Sequence, residues 1–534
     1  MIILLSKKIN AQNIFENNQS EVYSYLSRIA QKGLISFNDL IQPINRKEIA
    51  SKLEELSNKD SLLNKIEKEE LFFYLREYGL NKVQLSDKVF LLKKDEKYRW
   101  RTFKSVNELF EINADPIIGY KKISGTDKNI NQLSNGFNIW GTIGKNKNWG
   151  YSVYYRDYTE NGTIQNNTRK ESSEQDIVLI GTRNDNTINY SDIRAQINYG
   201  WKNGIISFGK DNLNWGYGEN GKIVLSQKAP SYPLIRLDYN PVSWIHFNYT
   251  HAWLNSNIID SSLSYFTKSG RIPNDARINF IQKFMATHSI QVEPINGLFL
   301  SVGESIIYSD KIDPGFLLPV NLFKFYDNNR SNYQIEAGSN GQYFFGFNLR
   351  NQIKNTQLYG TLFIDEIKVS AILDKKNSRN QLGFNLGFNK TDLIIPYLTM
   401  GGEYARINPF VYSNLIPAQT YRNYDTYLGD WMGNNFDRIL VYLKYTPIAK
   451  LKIYARLQKI RRGGAGTIYE QYEKQPQPAF LNNYIKTRND LFIQLRYEWI
   501  NNLYLNTSFE WIQNNFINYL NKDKTFQAGI SFGL

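Results

Sequence analysis

The last ten residues, TFQAGISFGL (Thr525–Leu534), alternate between two kinds of side chain. Every even-numbered position is apolar, and every odd-numbered position is small or polar. Successive side chains of a β-strand point to opposite faces, so this period of two predicts a strand with one apolar face. Because the alternation runs to the terminal residue, we expect Leu534 to end a strand that closes a β-barrel.

The same period of two recurs from about residue 105 onward, separated by clusters of Asn, Asp, Gly and Lys that are typical of turns. The clearest segments are LFIQLRYEWI (491–500), LYLNTSFEWI (503–512), LKIYARLQ (451–458), SWIHFNYTHAW (243–253) and QLGFNLGF (381–388). Each places apolar side chains on one face and polar or charged side chains on the other. The pattern therefore predicts many antiparallel strands.

Two architectures have strands of this kind: a soluble sandwich and a transmembrane barrel. The polar faces carry full charges, such as Lys452, Arg456, Arg496 and Glu498, which a wet lumen accommodates. Aromatic residues crowd the strand ends, as membrane interfaces require. A soluble sandwich, moreover, rarely runs past about 400 residues without a domain break. We therefore predict an all-β transmembrane barrel over residues 100–534, with about 16 to 18 antiparallel strands.

Ahead of the barrel, residues 15–85 show helical spacing instead. Val22, Leu26 and Ile29 share one face, and Ile49 and Leu53 follow the same rule in the next segment. We expect a helical bundle that plugs the barrel, because a lumen of this width leaks unless the helical region or loops fill it. Residues 1–14 resemble the tail of a secretory signal, so a signal remnant is expected there.

The amino-acid composition and the absence of known motifs exclude several classes of function. The chain has no Cys and only three His, at positions 246, 251 and 288, so a thiolate site is impossible and a histidine metal site is not expected. No P-loop, dinucleotide or zinc motif occurs. The net charge of +14 is spread along 534 residues without a long basic run, so a phosphate-rich lipid surface or a polyanionic glycan suits it as well as nucleic acid does. We expect no cofactor and no enzymatic activity.

The segment 208–239, FGKDNLNWGYGENGKIVLSQKAPSYPLIRLDY, carries a family resemblance. Its turn Trp215-Gly216-Tyr217-Gly218, its Leu225-Ser226 step and its Ala229-Pro230 pair resemble the central signature of the capsule assembly Wzi family. Residues 402–464 and the helical opening are similar to Bacteroidetes-type members. Tyr217 stands where enterobacterial members usually have Pro.

The resemblance implies an outer-membrane barrel of 18 strands, plugged by a periplasmic helical bundle. It also implies a lectin-like, non-enzymatic protein that binds or organises capsular polysaccharide at the cell surface. The partners expected on this basis are surface polysaccharide, outer-membrane lipid including lipopolysaccharide, and other envelope proteins; nucleic acid is not expected.

Two stretches hold the candidate glycan-binding residues. In the first, Trp215 and Tyr217 could stack on a sugar face, or they could be interfacial aromatics of a tight turn. Arg236 and Asp238, two residues apart on one strand face, could recognise a charged glycan or form a structural ion pair.

The second stretch, 403–437, lacks clean alternation and combines aromatic rings with charged and amide groups, as carbohydrate sites do. It could equally be a loop packed on its own aromatic side chains. Its candidate residues are Arg406, Tyr412, Arg422, Tyr424, Asp430 and Trp431. Nearby, Arg461 and Arg462 form a basic hairpin tip that either contacts a polyanion or lipid phosphates or is simply solvated.

Two other functions compete with polysaccharide binding. A porin or a secretion-associated barrel could be gated by the helical N-terminal region. A membrane-embedded lipid hydrolase would need a serine and a histidine that face each other, and the adjacent His288 and Ser289 do not provide such a pair.

Overall fold

The computed structural model describes residues 12–79, 87–95, 99–163, 171–184, 186–267, 275–333, 338–367, 380–464, 478–500 and 502–533. Leu534 and residues 1–11 of the expected signal remnant lie outside the described residues.

Eighteen antiparallel strands form one closed barrel in the described part of the chain, which confirms the predicted fold class. The strands are β1 (Phe110–Gly125), β2 (Lys128–Ile143), β3 (Trp149–Gly162), β4 (Thr187–Trp201), β5 (Gly204–Asp211), β6 (Tyr232–Val242), β7 (Ile245–Ile259), β8 (Phe280–Ile295), β9 (Leu298–Ser309), β10 (Asn340–Arg350), β11 (Thr356–Ile367), β12 (Asn380–Thr391), β13 (Leu398–Ile407), β14 (Phe436–Ile448), β15 (Leu451–Arg462), β16 (Lys486–Ile500), β17 (Leu503–Phe516) and β18 (Leu520–Phe532). Three shorter strands, Lys88–Lys94, Trp100–Val106 and Leu179–Asn184, belong to the same sheet.

The alternating segment at the end of the chain closes this barrel. Strand β18 pairs with β17 on one side and with β1 on the other, from Thr525 opposite Gly125 to Phe532 opposite Ile118. A bilayer offers no hydrogen-bond partner to an open sheet edge, so pairing of the last barrel strand with the first is the condition for crossing it.

Apolar side chains at alternate strand positions face outward. Phe526 and Ile530 of β18 are 51% and 43% exposed, and Leu386 and Phe388 of β12 are 52% and 56% exposed. A closed barrel with such a belt is an outer-membrane barrel that turns these side chains to lipid. No α-helix among the described residues is long and apolar enough to cross a bilayer.

The two ends of the barrel differ in their connections. Strands β8 and β9 are joined by residues 296–297, and β14 and β15 by residues 449–450. At the opposite end, residues 408–435 connect β13 to β14. In outer-membrane barrels the short turns face the periplasm and the long loops face outward, which orients this one.

The N-terminal helices are α1 (Val22–Gln31), α2 (Arg46–Ser57) and α3 (Lys65–Tyr78). Helix α3 begins with a capping box, in which Asn64 and Glu67 satisfy each other's backbone N–H groups. The apolar faces predicted from the sequence, including Leu26, Ile49 and Leu53, form one fully buried core.

Ion pairs hold this helical region against the short-turn end of the barrel. Arg28 of α1 contacts Glu67 of α3 at 2.6 Å and Asp392, in the turn after β12, at 2.5 Å. Arg350 at the end of β10 contacts Asp39 at 2.5 Å. The helices therefore lie at the periplasmic end, where they cover the lumen.

A second cluster surrounds Glu77 near the end of α3. Its carboxylate lies 2.6 Å from Arg46, 3.0 Å from Arg99 and 2.9 Å from Arg101. Burial alone would raise the pKa of Glu77, but the three guanidinium groups outweigh burial and hold this pKa well below its usual range.

One sector of the outer wall is covered by protein instead of lipid. The connection after β9 contains a 3₁₀ turn (Pro314–Leu317) and helix α4 (Phe323–Tyr333), which pack over β7 to β9. The Tyr249 hydroxyl donates to the Phe316 carbonyl at 2.8 Å, and the Glu304 carboxylate accepts from the Phe323 N–H at 2.9 Å. The apolar face of segment 243–253, expected to contact lipid throughout, is thus partly shielded.

Placing a charge in the lipid belt should destabilise the barrel. Leu457, in the middle of β15, is 59% exposed on the outer face. We expect Leu457→Arg to lower the unfolding free energy by about 2–4 kcal/mol, because a guanidinium near the bilayer midplane is poorly solvated. Ser508→Arg, on the lumenal face beside the cavity, should cost less. Urea unfolding in liposomes measures both, and equal losses would contradict the assignment of faces.

Removing the charge of Glu77 should loosen the helical region. We expect Glu77→Gln to cost about 3–5 kcal/mol of docking stability, because it leaves buried guanidinium groups uncompensated. In the wild type this contribution is fully present above the ordinary glutamate pKa, and it is lost as the pH falls through the depressed folded pKa. Limited proteolysis across a pH series measures the docking. Glu69→Gln, on the exposed side of α3, is the control and should behave like the wild type.

Candidate functional site in the barrel lumen

The Trp-Gly-Tyr-Gly turn lies inside the barrel. Residues 212–231 leave the wall after β5 and enter the lumen, where Asn214–Trp215 pairs with Ile41–Gln42 of the N-terminal region. The Trp215 ring is fully buried and packs edge-on against Phe344, with ring centroids 5.7 Å apart. Trp215 therefore presents no free ring face to solvent in this structure.

Glycine is required at two positions of this inner segment. Gly216 has a φ of +103°, a conformation that side chains with a Cβ rarely adopt. A Cβ on Gly221 would come within 2.2 Å of the Asp430 carboxylate. Tyr217, between the two, is also buried, and its hydroxyl accepts a hydrogen bond from the Gln291 side chain at 2.9 Å.

The long connection 408–435 folds inward and packs against the first segment. The Tyr412 hydroxyl donates to the Ile223 carbonyl at 2.6 Å, and Trp431 Nε1 donates to the Asn220 carbonyl at 2.7 Å. The Tyr412 ring is stacked on Tyr421, with centroids 5.5 Å apart. Together the two segments form an inner plug with its own hydrophobic core, so this level of the lumen contains packed protein where the sequence suggested water.

Three of the predicted charged residues form ion pairs in or around the plug. Asp430 is fully buried and binds Arg438 at 2.9 Å. Arg236 contacts Asp238 at 2.8 Å, and it also donates to the Pro43 carbonyl at 2.8 Å. Arg236 therefore ties the barrel wall to the N-terminal region, which is the structural alternative considered for this pair.

The remaining candidates lie toward the long-loop end. The Arg406 guanidinium is 3.8 Å from the centre of the Phe480 ring, and the Arg422 guanidinium is 4.1 Å from that of Tyr427. Tyr424 is 36% exposed and lines a cavity. Of the ten residues predicted to bind glycan, Tyr424 is the one that lines this cavity.

This cavity, of about 890 Å³, lies between the inner plug and the barrel wall. Strands β1 to β4 and β16 to β18 supply most of its lining, and Gln19 and Arg496 lie on its boundary. The other basic side chains of the lining are Lys121, Arg156, Arg194 and Lys210, and the acidic ones are Glu174, Asp176 and Asp192.

Tyrosines and arginines are paired across one wall of the cavity. The rings of Tyr158 and Tyr190 are stacked, with centroids 4.7 Å apart and planes at 13°. The Arg156 guanidinium lies 5.1 Å from the centre of the Tyr158 ring, and Arg194 lies 5.0 Å from that of Tyr154. Aromatic faces beside guanidinium donors suit a sugar ring, which offers a C–H face for stacking and hydroxyl groups for hydrogen bonds.

The residues of this tyrosine–arginine wall were not among those predicted from the sequence, although a signal exists. Tyr154, Arg156 and Tyr158 stand at every second position of β3, so they share the lumenal face. The register then sets Tyr158 opposite Tyr190 and Tyr154 opposite Arg194 on β4. Alternation of aromatic and charged residues on the polar face of a strand is the pattern that could have found them.

Residues 171–178 extend across the long-loop side of the cavity and contribute to its lining. The Thr426 hydroxyl donates to the Asp176 carboxylate at 2.6 Å, and the Asp176 N–H donates to the Lys228 carbonyl at 2.8 Å. These contacts fix the segment to the inner plug. Within the described ranges, no three His, Asp or Glu side chains converge to hold a metal ion.

Comparison with solved structures shows the fold again. Wzi from Escherichia coli, described as an outer membrane protein involved in group 1 capsule assembly and a carbohydrate-binding β-barrel, superposes with a TM-score of 0.60 at 14% identity, covering 98% of this chain and 99% of that one. A variant of OccD1 (OprD) has a TM-score of 0.45 at 10% identity, covering 84% and 99%. Pseudomonas aeruginosa OccK5 (OpdH) has a TM-score of 0.41 at 10% identity, covering 79% and 98%.

Comparison of sequences identifies the family. No curated protein matches the chain. The family described as capsule assembly protein Wzi matches residues 164–528, which contain most of the barrel, the inner plug and much of the cavity wall. The chain therefore belongs to the Wzi family of capsule assembly proteins.

Proposed function

We propose that this protein binds and organises surface polysaccharide, including capsular polysaccharide, without enzymatic activity. The observation that carries the proposal is the lumenal cavity, where stacked tyrosines stand beside arginines at a volume suited to a few sugar rings. The Wzi barrel of similar fold, whose reported property is carbohydrate binding, supports it.

Binding would use many weak contacts. Tyr158 and Tyr424 supply aromatic surface, while Arg156 and Arg194 supply fixed donors for hydroxyl or carboxylate oxygens. A long polysaccharide that engages several barrels at once gains retention through effective concentration, even where each contact is weak. Basic lumenal side chains would favour acidic chains, and this preference would weaken as salt rises.

Further partners follow from the surface of the barrel. We propose that the outward belt contacts outer-membrane lipid, including lipopolysaccharide. Phe72, on helix α3, is 55% exposed at the periplasmic end, and other envelope proteins could bind the helical region there.

A transport barrel is the second candidate function, because the strand number suits a wide pore. The inner plug argues against a transport function, because residues 212–231 and 408–435 share a hydrophobic core that occupies the lumen. The helical region also covers the periplasmic end.

Removing one ring from the cavity wall should weaken glycan binding. We expect Tyr158→Ala to weaken binding of capsular oligosaccharide about tenfold, which corresponds to about 1.4 kcal/mol, because it removes a stacking face. Tyr155→Ala is the matched control. Tyr155 is on the same strand as Tyr158 but on its outer face, where it packs against Phe137 of β2. Isothermal titration calorimetry in detergent measures both.

If Tyr155→Ala and Tyr158→Ala reduce affinity equally, the cavity is not the binding site. If the wild type binds no oligosaccharide of any class, polysaccharide binding itself is refuted.

Conductance separates the two candidate functions. We expect the purified protein in planar bilayers to conduct far less than an open barrel of similar strand number, because the inner plug and the helices obstruct the lumen. Deleting residues 1–85 should raise conductance only partly, because the inner plug remains. A large, stable conductance of the intact chain would favour the transport function.

A further inference from the structure

A cluster of basic side chains stands at the long-loop mouth of the lumen. Arg462 ends β15, while Lys486 and Arg488 begin β16, and all three belong to the lumenal faces of their strands. Lys486 and Arg488 are almost fully buried, with 6% and 4% of their side chains exposed. We call these three residues the basic triad.

A carboxylate of the same chain occupies the triad. Glu171 accepts a hydrogen bond from Lys486 Nζ at 2.5 Å and one from Arg462 at 3.2 Å. Arg488 donates to the Glu171 backbone carbonyl at 2.7 Å. Burial would raise the pKa of Glu171, but the surrounding cations hold this pKa below its usual range.

Glu171 supplies the counter-charge for two cations of the triad, Lys486 and Arg462. Among the described residues, Glu171 is the one carboxylate within 4 Å of Lys486 and of Arg462. Arg488 has a second partner, Asp490, at 2.7 Å. Withdrawal of Glu171 would leave two partly or fully buried cations without a counter-charge, a state that any suitably placed anion would stabilise.

Glu171 is also the more accessible partner of these ion pairs. Its side chain is 41% exposed, whereas the Lys486 ammonium lies below it in the wall. It belongs to residues 171–178, the same segment that lies across the cavity. The basic triad and the cavity therefore both adjoin this segment.

We propose that the basic triad is a binding site for the carboxylate or other anionic substituent of an acidic polysaccharide, and that Glu171 occupies it until the glycan displaces it. This inference rests on the proposed polysaccharide-binding function and adds its ligand class and its regulation. Neutral glycans would gain nothing from displacing Glu171. Acidic ones would replace one carboxylate by another while their sugar rings enter the cavity.

The test compares acidic oligosaccharides that contain uronic acid with neutral oligosaccharides of the same length, by calorimetry on the full-length protein in detergent. When Glu171 occupies the site, the apparent affinity for an acidic oligosaccharide falls in proportion to the fraction of molecules in which the site is vacant. We therefore expect Glu171→Gln to tighten acidic-oligosaccharide binding at least about fivefold and to leave neutral binding unchanged. Lys486→Gln should weaken acidic binding about fivefold.

Asp127→Asn is the matched control. It removes one exposed carboxylate from the turn after β1, at the same end of the barrel, so it reports the effect of overall charge alone. Two results would overturn the inference and leave polysaccharide binding intact. In the first, Asp127→Asn and Glu171→Gln strengthen the binding of acidic oligosaccharides equally. In the second, Glu171→Gln leaves that binding unchanged. Absence of binding of both oligosaccharide classes in every variant would overturn the proposed function, and the inference with it.

Discussion

The constraint on which this structure depends is that a backbone inside a bilayer must satisfy its own hydrogen bonds. Strand β18 meets it by pairing with both β17 and β1, so the ring of eighteen barrel strands is closed. Closure also fixes the direction of every side chain, because alternate positions must then face either lipid or lumen. Residues 525–532, which complete the hydrogen bonding, therefore also contribute to the apolar belt.

Closure of eighteen strands creates a second problem, since the resulting lumen is too wide for wall side chains to fill. Two parts of the chain obstruct this wide lumen. Helices α1 to α3 cover the periplasmic end through ion pairs with the wall, and residues 212–231 and 408–435 form a hydrophobic core inside the barrel. Buried cations of the wall are compensated by carboxylates of these inner elements, as Asp39 does for Arg350 and Asp430 does for Arg438.

The space left between plug and wall is the cavity that we associate with polysaccharide. Its aromatic and basic groups are arranged along two neighbouring strands, β3 and β4. In the proposed mechanism, Glu171 makes the anion site at the mouth of the lumen exchangeable. A carboxylate held by two cations can be exchanged for another carboxylate at little electrostatic cost.

The sequence by itself determined the barrel, the strand direction and the helical N-terminal region, because periods of two and of about 3.6 residues are local properties that burial on one face imposes. It also contained the family signature around Trp215. It did not reveal that Trp215, Tyr412 and Trp431 are buried in a lumenal core, since aromatic residues in turns look alike whether a loop folds inward or outward. The stacking of Tyr158 on Tyr190 and the ion pairs of Glu171 with Lys486 and Arg462 were decided by tertiary structure alone. Both depend on strand register and on contacts between residues far apart in the chain, and no local period encodes those.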